Sequence, residues 1–529
     1  MASVDENMAG ARWTMHWEEA KVFDVNAVAL GVDELDLMMA AGKALSQEVG
    51  HYTNNISQMG EVWFLCGSGN NGGDGFVAAE EFLATHAQNH EIQVRVLATH
   101  GEQKTLASRI VRARLIEGGI PIHVWDSGRW SLPLPTDRRI LLLVDCMLGV
   151  GQGGPGESAL PRGCIAEVMD WLDSRFEVGF PSVLACDVPT GWGSSRTMIA
   201  DWTLTFHSDK IGLTLENGNV APGIGPIRVA ELPWPQETVD PGPGDLIRYP
   251  PLSSDAKKGD RGRVLVVGGG PYHGAPLLAG MAAARMGADL IHVAMPENAA
   301  QRADWPVEII PEILPDKDHL SIVSVERIVE RMEAGRGVQA LVIGPGLGTD
   351  DETIAAVRRI LVHAASKGIP TVIDADAIHA MPIASWPVDL VGVATPHLKE
   401  FKTWMGQVSP YEMFTEALKY SLWKTNGVDE ENAALICTGE LDELFGLGAR
   451  YSVCEGGSPR MAMGGTGDLL AGAIGGLMAV GMSPWSATRL AAWLMRRAGE
   501  MAETELGPGM VASDIPLYLA KVLAQRLET

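Results

Sequence analysis

Cysteine is scarce in this chain and never occurs at a metal-binding spacing. Its 529 residues include six cysteines, none in a CxxC pair, which favours buried reduced thiols over zinc ligands or disulfides. Residues 1–13 lack the basic-then-apolar pattern of a secretory signal. The chain also lacks an uninterrupted apolar run of about 18 residues, the length that a membrane-spanning helix needs. We therefore expect a cytoplasmic protein without a membrane partner.

Basic residues are also in short supply. The 41 lysines and arginines are outnumbered by 66 aspartates and glutamates, and the formal net charge is −25. A surface of this sign repels nucleic acid and anionic membranes, so neither is an expected partner. An anionic small molecule must then be held by local backbone amides, helix dipoles or a cation.

Glycine, in contrast, is abundant, with 61 residues, as in α/β proteins with many tight strand-to-helix turns. Short apolar runs bounded by Gly or Pro are typical of buried parallel strands. The sequence has two series of them: VWFLC, IQVRVLAT, ILLLVD and SVLACDVP, then RVLVVGG, LIHVAMP, ALVIGPG, TVIDADA, VGVATP and ALICTG. We predict two tandem α/β domains of three layers each, residues 1–232 and 263–529. A linker rich in Pro, Gly and charge joins them at 233–262.

The segment MAMGGTGDLL at 461–470 combines a glycine-rich turn with a carboxylate. Gly464, Gly465, Thr466 and Gly467 precede Asp468 and an apolar, helix-like run. Free amides before a helix bind phosphate, and a carboxylate beside them indicates a base that deprotonates a hydroxyl during phosphoryl transfer. The alternative is an ordinary capped helix with Asp468 in its first turn.

Polar side chains also follow three apolar runs of the first half. They are Asn70, Asn71 and Asp74 in the loop GSGNNGGDG, then Asp145, and then Asp187 and Thr190. The oxygen atoms of Asn71, Asp145, Asp187 and Thr190 suit a group I or II cation beside a glycine-lined pocket. Helix caps and turn formers are the alternative interpretation of each aspartate.

These motifs of the first half, NNGGDG, VDCMLGVG and DVPTG with ADWTLTFHSDKIGL, resemble the Rossmann-like epimerase domain of the NAD(P)H-hydrate repair enzymes. The resemblance implies that Asn71, Asp145 and Thr190 hold a potassium ion, and that Asp187 binds the substrate and acts as the acid–base catalyst. It implies a pocket for the hydrated nucleotide lined by Asn70, Asn71, Gly72, Gly73, Asp74, Gly149, Val150, Gly151, Gln152, Gly153, Gly154, Pro155 and Asp187. The family usually has glutamate where Met39 stands, and serine in place of Thr190, whose hydroxyl preserves the ion site.

The second half resembles another family. KKGDRGRVLVVGGG, LVIGPGLGTD, VIDADAIHA, ATPHLKEF and GGTGD follow the order of the ADP- or ATP-dependent NAD(P)H-hydrate dehydratases, which have a ribokinase-like fold. The resemblance implies that Ala275, Gly348, His397 and Asp468 contact the hydrate, although His397 alone is more often a cap than a catalyst. It implies a nucleotide site at Thr438, Gly439, Glu440, Leu441 and Asp442 with Gly464, Gly465, Thr466 and Gly467. Thr438 replaces the family's usual lysine, which removes a positive charge from that site.

Together the two resemblances imply a bifunctional metabolite-repair enzyme. The first domain would interconvert (R)- and (S)-NAD(P)H hydrate, and the second would dehydrate the S epimer to NAD(P)H at the expense of a nucleotide, ADP rather than ATP. Asp468 would deprotonate the ring hydroxyl for phosphorylation, because phosphate leaves more readily than water. The expected cofactors are K⁺ in the first domain and Mg²⁺ with the nucleotide in the second. The expected partners are NADHX, NADPHX, ADP or ATP, and further copies of the chain, since similar dehydratases form homo-oligomers.

Two other functions fit parts of the sequence. One is a ribokinase-like kinase of a vitamin or sugar alcohol, fused to a nucleotide-binding domain, but such a kinase has no reason to carry NNGGDG. The other is a regulatory module that binds ADP-ribose-like ligands. It would be expected to lack Asp187 or Asp468, and both are present.

Overall fold

The computed structural model describes residues 14–54, 59–86, 92–134, 138–176, 179–215, 218–251, 253–406, 432–446 and 450–525. The chain divides into two compact units, Met1–Thr238 and Val239–Thr529. Residues 1–13, for which the sequence predicted no secretory signal, lie outside the described residues. In the described ranges, no helix is both long enough and apolar enough to cross a bilayer.

The first unit alternates strands and helices as its apolar runs predict. Its described helices are α1 (Trp17–Ala29), α2 (Glu34–Thr53), α3 (Asn70–His86), α4 (Leu106–Glu117) and α5 (Cys164–Arg175). Its described strands are β1 (Thr14–Met15), β2 (Gly60–Cys66), β3 (Ile92–Ala98), β4 (Ile122–Asp126), β5 (Arg129–Trp130), β6 (Ile140–Cys146), β7 (Ser182–Cys186), β8 (Trp202–Phe206), β9 (Asp209–Lys210) and β10 (Ile227–Ala230).

Eight of these strands form one sheet in the order β10-β8-β7-β6-β2-β3-β4-β5, and all neighbours are parallel except β4 and β5. Successive side chains of a strand point to opposite faces. On β2, Phe64 therefore packs with α2, α3 and α4, whereas Trp63 packs with α5 on the other face. The sheet thus lies between two helical layers.

Glycine is required where β2 turns into α3. A β-carbon at Gly67 would lie 1.9 Å from the Met147 carbonyl oxygen, and one at Gly72 would lie 2.1 Å from the Gly67 carbonyl oxygen. Both distances are far below van der Waals contact, so the two glycines allow the close backbone contacts of the turn between β2 and α3. The turn brings the first residues of α3 beside the loop that follows β6.

The second unit has the same alternation. Its described helices are α6 (Gly274–Arg285), α7 (Glu297–Arg302), α8 (Ile322–Glu333), α9 (Asp351–Ser366), α10 (Leu398–Met405), α11 (Thr466–Ala479), α12 (Pro484–Leu506) and α13 (Ile515–Leu523). Its described strands are β11 (Arg263–Val267), β12 (Leu290–Pro296), β13 (Ile309–Leu314), β14 (Ala340–Ile343), β15 (Thr371–Ile373), β16 (Gly392–Ala394), β17 (Ala433–Cys437), β18 (Asp442–Gly446) and β19 (Arg450–Cys454).

These nine strands form one sheet in the order β13-β12-β11-β14-β15-β16-β17-β18-β19. The strands from β13 to β17 are parallel, and β18 and β19 add an antiparallel hairpin at one edge. Val264 of β11 packs with α6, α11, α12 and α13, while Leu265 packs with α8, α9 and α10 on the opposite face. The prediction of two tandem three-layer α/β domains is confirmed.

Each sheet has a point where the strand order reverses, between β2 and β6 in the first unit and between β11 and β14 in the second. Ligands of open α/β sheets bind outside the carboxyl ends of the strands at such a point. The loops that carry the predicted site residues leave those strands and their neighbours at this end.

Part of the predicted linker packs into the second unit. Residues 239–262 belong to that unit, and the Asp245 carboxylate is buried against Arg489 of α12, with Nε to Oδ1 at 2.8 Å. The boundaries at 232 and 263 stay a prediction for where the functional domains end.

Candidate functional site

The end of β6 holds a buried carboxylate that is bound on both oxygens. Asp145 Oδ1 accepts the Thr190 hydroxyl at 2.7 Å and the Met147 amide at 3.2 Å, while Oδ2 accepts the Thr190 amide at 2.8 Å. Burial raises the Asp145 pKa to about 6, although these hydrogen bonds oppose the rise. Two of the three predicted cation ligands, Asp145 and Thr190, are therefore in direct contact.

The third predicted ligand, Asn71, lies at the start of α3. Both its amide oxygen and its amide nitrogen are buried, and neither has a hydrogen-bond partner among the described residues. A β-carbon at Gly149 would lie 3.2 Å from Asn71 Oδ1 and 3.0 Å from Asp187 Oδ2. A buried amide without partners costs free energy unless a ligand satisfies it. Asn71 thus has an oxygen available for a ligand between Gly149 and Asp187.

Asp187 follows β7 and is held from three directions. Its Oδ1 is 3.0 Å from Lys210 Nζ and accepts the Thr205 hydroxyl at 3.3 Å, and its Oδ2 accepts the Val150 amide at 3.0 Å. Its φ is 67°, a left-handed conformation that is uncommon for a residue with a side chain. Such backbone strain persists only where surrounding contacts over-determine it, and it is concentrated at functional sites.

The loop 149–155 is tied to the same group of residues. Gln152 donates to the Pro189 carbonyl at 3.1 Å and accepts the Gly191 amide at 2.7 Å. A β-carbon at Gly154 would lie 2.3 Å from Trp17 Nε1 of α1, so the loop and α1 pack closely. Gln152 therefore braces the loop, and the loop residues beside it remain predicted substrate contacts.

The remaining predicted residues of this pocket lie on α3. Asn70 donates to Glu34 of α2 at 3.2 Å. Asp74 is buried, and burial together with the charges of Asp187 and Asp24 raises its pKa well above the usual value.

In the second unit, Asp468 stands in the first turn of α11. Gly465, with a φ of 100°, caps that helix, and a β-carbon there would lie 2.5 Å from Leu278 of α6. β-Carbons at Gly464 and Gly467 would meet no atom within 4 Å, so the turn is open on that side. Burial and the charge of Asp376 raise the Asp468 pKa to about 6. Asp468 is therefore mostly ionised at neutral pH and can accept a proton.

Two further carboxylates face Asp468 from the end of β15, and the sequence analysis did not name either as a site residue. Burial, followed by the charge of Asp468, raises the Asp374 pKa well above the usual value, and Asp374 Oδ1 accepts the Thr395 hydroxyl at 2.6 Å. Asp376 Oδ2 accepts the Gly348 amide at 2.8 Å. The signal was present in VIDADA, since two aspartates directly follow a buried strand.

His397 is the N-cap of α10, which is the more common role of such a histidine. Its Nδ1 accepts the amides of Lys399 and Glu400 at 3.1 Å each, and Glu400 Oε2 accepts the His397 amide at 2.9 Å. An Nδ1 that accepts hydrogen bonds leaves the ring proton on Nε2. The cap therefore orients the ring and does not exclude a contact of His397 Nε2 with a ligand.

The predicted nucleotide turn, residues 438–442, is clamped by Arg496 of α12. The guanidinium donates to Asp442 Oδ2 at 2.9 Å, to the Gly439 carbonyl at 3.0 Å and to the Glu440 carbonyl at 2.8 Å. Thr438 pairs with His397 in a parallel bridge, at the ends of β17 and β16. Sequence reasoning missed Arg496 because it lies 54 residues from Asp442 and has no motif of its own.

The structure brings some of the predicted residues of the second unit together. Asp376 interacts electrostatically with Asp468 and accepts the Gly348 amide, and Thr438 pairs with His397. Ala275 is the second residue of α6, and the turn at 438–442 lies two strands from β15, with no recorded contact to Asp468 among the described residues. The described residues contain no group of three or more His, Cys, Asp or Glu side chains arranged to hold a metal. The donors present, an amide, a hydroxyl and a carboxylate, suit a monovalent cation in the first unit better than a transition metal.

Two family models match the chain, one per unit. One, described as NAD(P)H-hydrate dehydratase, matches residues 264–521. The other, described as YjeF-related protein N-terminus, matches residues 34–212.

Full-length relatives match as well. The bifunctional NAD(P)H-hydrate repair enzyme Nnr of Pyrobaculum aerophilum is 33% identical over 96% of this chain and 97% of its own length. The enzyme of the same name from Methanothermobacter thermautotrophicus is 32% identical over 94% of this chain and 93% of its own length. Among solved structures, the ADP/ATP-dependent NAD(P)H-hydrate dehydratase from Bacillus subtilis, co-crystallized with ATP/Mg²⁺, is 22% identical. It aligns with a TM-score of 0.43 over 54% of this chain and 96% of that chain.

Proposed function

This chain belongs to the bifunctional NAD(P)H-hydrate repair enzymes, and we propose that its two groups of strand-end residues divide the two reactions of that family between them. The first domain is the epimerase and the second is the nucleotide-dependent dehydratase. In this proposal, Asp187 is the acid–base group of the first site and Asp468 is the base of the second.

The observation that carries the proposal is the position of Asp468, an ionised carboxylate behind the open glycine turn 464–467. Asp468 removes the proton from the C6 hydroxyl of the hydrate, and that oxygen attacks the terminal phosphorus of the nucleotide. The bond from phosphorus to the nucleotide breaks, while the turn's amides stabilise the transferring phosphoryl group. Phosphate then leaves C6 as a proton leaves C5, which restores the ring double bond.

In the first domain, Asp187 accepts the proton of the C6 hydroxyl as the C6–N1 bond breaks, its electron pair goes to N1 and C6 becomes an aldehyde. N1 then attacks the opposite face of that carbonyl carbon, which re-forms the C6–N1 bond with inverted configuration, and Asp187 returns the proton to the C6 oxygen. Asn71, Asp145 and Thr190 would hold K⁺, and the partnerless amide of Asn71 supports this ligand set. The bound ion would supply fixed positive charge to a pocket that is rich in carboxylates. The residues 70–74 and 149–155 form the walls against which the hydrated ring is positioned.

The dehydratase domain would use Mg²⁺ bound mainly to the nucleotide phosphates, because its described residues offer no all-protein cage. ADP is the preferred donor in this proposal. Thr438 stands where related enzymes have lysine, and Arg496 is already engaged by Asp442, so the turn offers little charge to a third phosphate. We also propose a cytoplasmic homo-oligomer. Family resemblance supports the assembly, and six free cysteines support a reducing compartment.

A mixed-epimer NADH hydrate tests the proposal. With ADP, ATP or neither, the recovery of reduced-nicotinamide absorbance reports dehydration, and the final amplitude reports whether both epimers are consumed. We expect full recovery with ADP, slower recovery with ATP and none without nucleotide. Recovery that stops at the S epimer would remove the epimerase assignment, and recovery without nucleotide would remove the phosphorylation step.

A further inference from the structure

A buried lysine, Lys210, contacts Asp187, the carboxylate proposed for epimerisation. Lys210 of β9 is 1% exposed, and its Nζ contacts Thr205 Oγ1 at 2.6 Å, the Phe206 carbonyl at 2.7 Å and Asp187 Oδ1 at 3.0 Å. An ammonium group has three protons to donate, and these partners account for all of them. Lys210 is therefore saturated within the protein and has no donor left for a substrate.

The backbone of Lys210 is also held in place. β9 pairs with β1, and the next residue, Ile211, donates its amide to the Met15 carbonyl at 2.9 Å. The short strand pair fixes the start of the Lys210 side chain, and the Phe206 carbonyl fixes its end. A charged group this deeply buried is stabilising only if it is paired. The role of Lys210 therefore depends on its charged partner, Asp187.

The contacts of Asp187 differ between its two oxygens. Oδ1 receives Lys210 Nζ directly, and it also receives the hydroxyl of Thr205, which itself accepts from Lys210. Oδ2 receives the Val150 amide and lies on the Gly149 side, next to Asn71. One oxygen thus faces the protein's own cation and the other faces the predicted substrate loop.

The carboxyl groups around Asp187 increase the importance of the Lys210 ammonium. Burial raises the pKa of Asp24 of α1 to about 7 and that of Asp74 of α3 well above its usual value. The charge of Asp187 adds to both shifts, and the charge of Asp24 adds to that of Asp74. Three carboxyl groups and one buried ammonium therefore share this pocket, and Lys210 is the cation in contact with Asp187.

We propose that Lys210 is a positioning residue for epimerisation, whose buried ammonium fixes Asp187 Oδ1 and leaves Oδ2 to exchange the proton of the substrate hydroxyl. The inference rests on the proposed role of Asp187. Thr205 is the second member of this unit, since its hydroxyl bridges the ammonium and the carboxylate. Lys210 acts through Asp187 and does not itself touch the substrate.

Lys210→Met tests the proposal, with Lys43→Met on the exposed face of α2 as the matched control. Each epimer is supplied separately with nucleotide. Conversion of the R epimer requires both domains, whereas conversion of the S epimer requires only the dehydratase. We expect kcat for the R epimer to fall by roughly 100-fold, within the range that acid–base catalysis contributes, while S-epimer conversion is unchanged. S-epimer conversion reports whether the second domain is folded, and the thermal unfolding transition of the first domain reports whether Lys210→Met leaves that domain folded.

Two further readouts separate positioning from a merely structural role. KM should change less than kcat, and Thr205→Val, which keeps Lys210 in place, should lose less activity than Lys210→Met. A larger change in KM than in kcat, or equal loss of both epimers' conversion, would overturn the role of Lys210. If the wild type itself converts the R epimer no faster than it epimerises spontaneously, the proposed function fails instead.

Discussion

The two candidate catalytic carboxylates, Asp187 and Asp468, have opposite surroundings. Asp187 lies between a buried ammonium, a hydroxyl and a backbone amide, all supplied by the protein. Asp468 stands at a helix N-terminus behind an open glycine turn, and it interacts electrostatically with the carboxyl groups of Asp374 and Asp376 at the end of β15. Asp187 is thus paired with a cation of the protein, whereas Asp468 lies among carboxyl groups beside backbone amides. Arg496, the cation described at the nucleotide turn, is already paired with Asp442.

That difference matches the chemistry of the two reactions. Epimerisation brings no second substrate, so the protein must supply the groups that hold and orient the base. Phosphoryl transfer brings a nucleotide with its own cation, and a site for it needs amides and a base more than fixed positive charge. We therefore expect substitutions and ionic conditions to affect the two domains separately.

The largest separation is expected from Asp468→Asn. Loss of the base should lower dehydration by about 10²- to 10⁴-fold, the range for general acid–base catalysis, and leave epimerisation intact. Absorbance recovery measures the first reaction, and chromatographic exchange between the epimers measures the second. Glu503→Gln, on an exposed part of α12, removes one charge as a control and should change neither rate. Equal dehydration by Asp468→Asn and the wild type would disprove the role of Asp468.

A buried ion pair with a structural role provides the next comparison. Arg489→Met leaves the buried Asp245 with the longer ion pair to Arg248, at 3.6 Å, and should lower the free energy of unfolding of the second domain by about 3 kcal/mol. Because Arg497 on the same helix is half-exposed, Arg497→Met should cost far less. Urea unfolding followed by tryptophan fluorescence measures both. A loss confined to enzyme activity would show that this pair resembles the Lys210–Asp187 pair after all.

Potassium should distinguish the domains as well. Replacing K⁺ by a large organic cation, or Asn71 by Ala, should lower epimerisation by about 10- to 100-fold, comparable to the loss when a metal site is disturbed. Asn54→Ala, at the exposed end of α2, is the matched control. Dehydration of the purified S epimer should be unaffected by either change. Epimerisation that is insensitive to K⁺ in the wild type would exclude Asn71, Asp145 and Thr190 as its ligands.

The pH profile of dehydration should reflect Asp468. Its pKa is raised to about 6 by burial and by Asp376, and the base acts in its ionised form. The rate should therefore be constant above this pH and fall as the pH drops through about 6, by about tenfold at pH 5. Asp376→Asn removes the nearby charge and should move the midpoint to lower pH. A midpoint that does not move would show that another group controls the acid limb.

The smallest effect is expected at the nucleotide turn. Thr438→Lys introduces a positive charge at the start of this turn, and should lower the KM for the nucleotide by about fivefold, as an exposed ion pair permits. The change should be larger for ATP than for ADP, because Arg496, the cation described at this turn, is already paired with Asp442. Thr403→Lys, on the exposed side of α10, controls for added charge. Equal KM values would place the phosphates away from residue 438.

The sequence predicted the parts of both sites that depend on local pattern. Glycine turns after apolar runs located Asn71 and Asp468, because a close backbone approach requires glycine at neighbouring positions. It could not predict the partners that come from distant segments. Lys210 and Arg496 look like ordinary charged residues in sequence, and only the fold shows that one is buried and the other clamps a turn.

His397 shows why one residue type supports two interpretations. The same histidine caps α10 through Nδ1 and keeps Nε2 as a donor, so the structural role and the predicted ligand contact use different atoms. Asp374 and Asp376 were overlooked because each is also a common turn former. Their proximity to Asp468 depends on the neighbouring positions of β15 and α11 in the fold.

The central claim, that Asp187 and Asp468 serve two separate sites linked by a released intermediate, is tested most directly by mixing the two variants. Asp187→Asn alone should recover only the S share of a mixed-epimer NADH hydrate, and Asp468→Asn alone should recover none. An equimolar mixture of the two proteins should recover the whole, because the second variant supplies the S epimer to the first. A mixture that stops at the S share, on a time scale shorter than spontaneous epimerisation, would contradict the account.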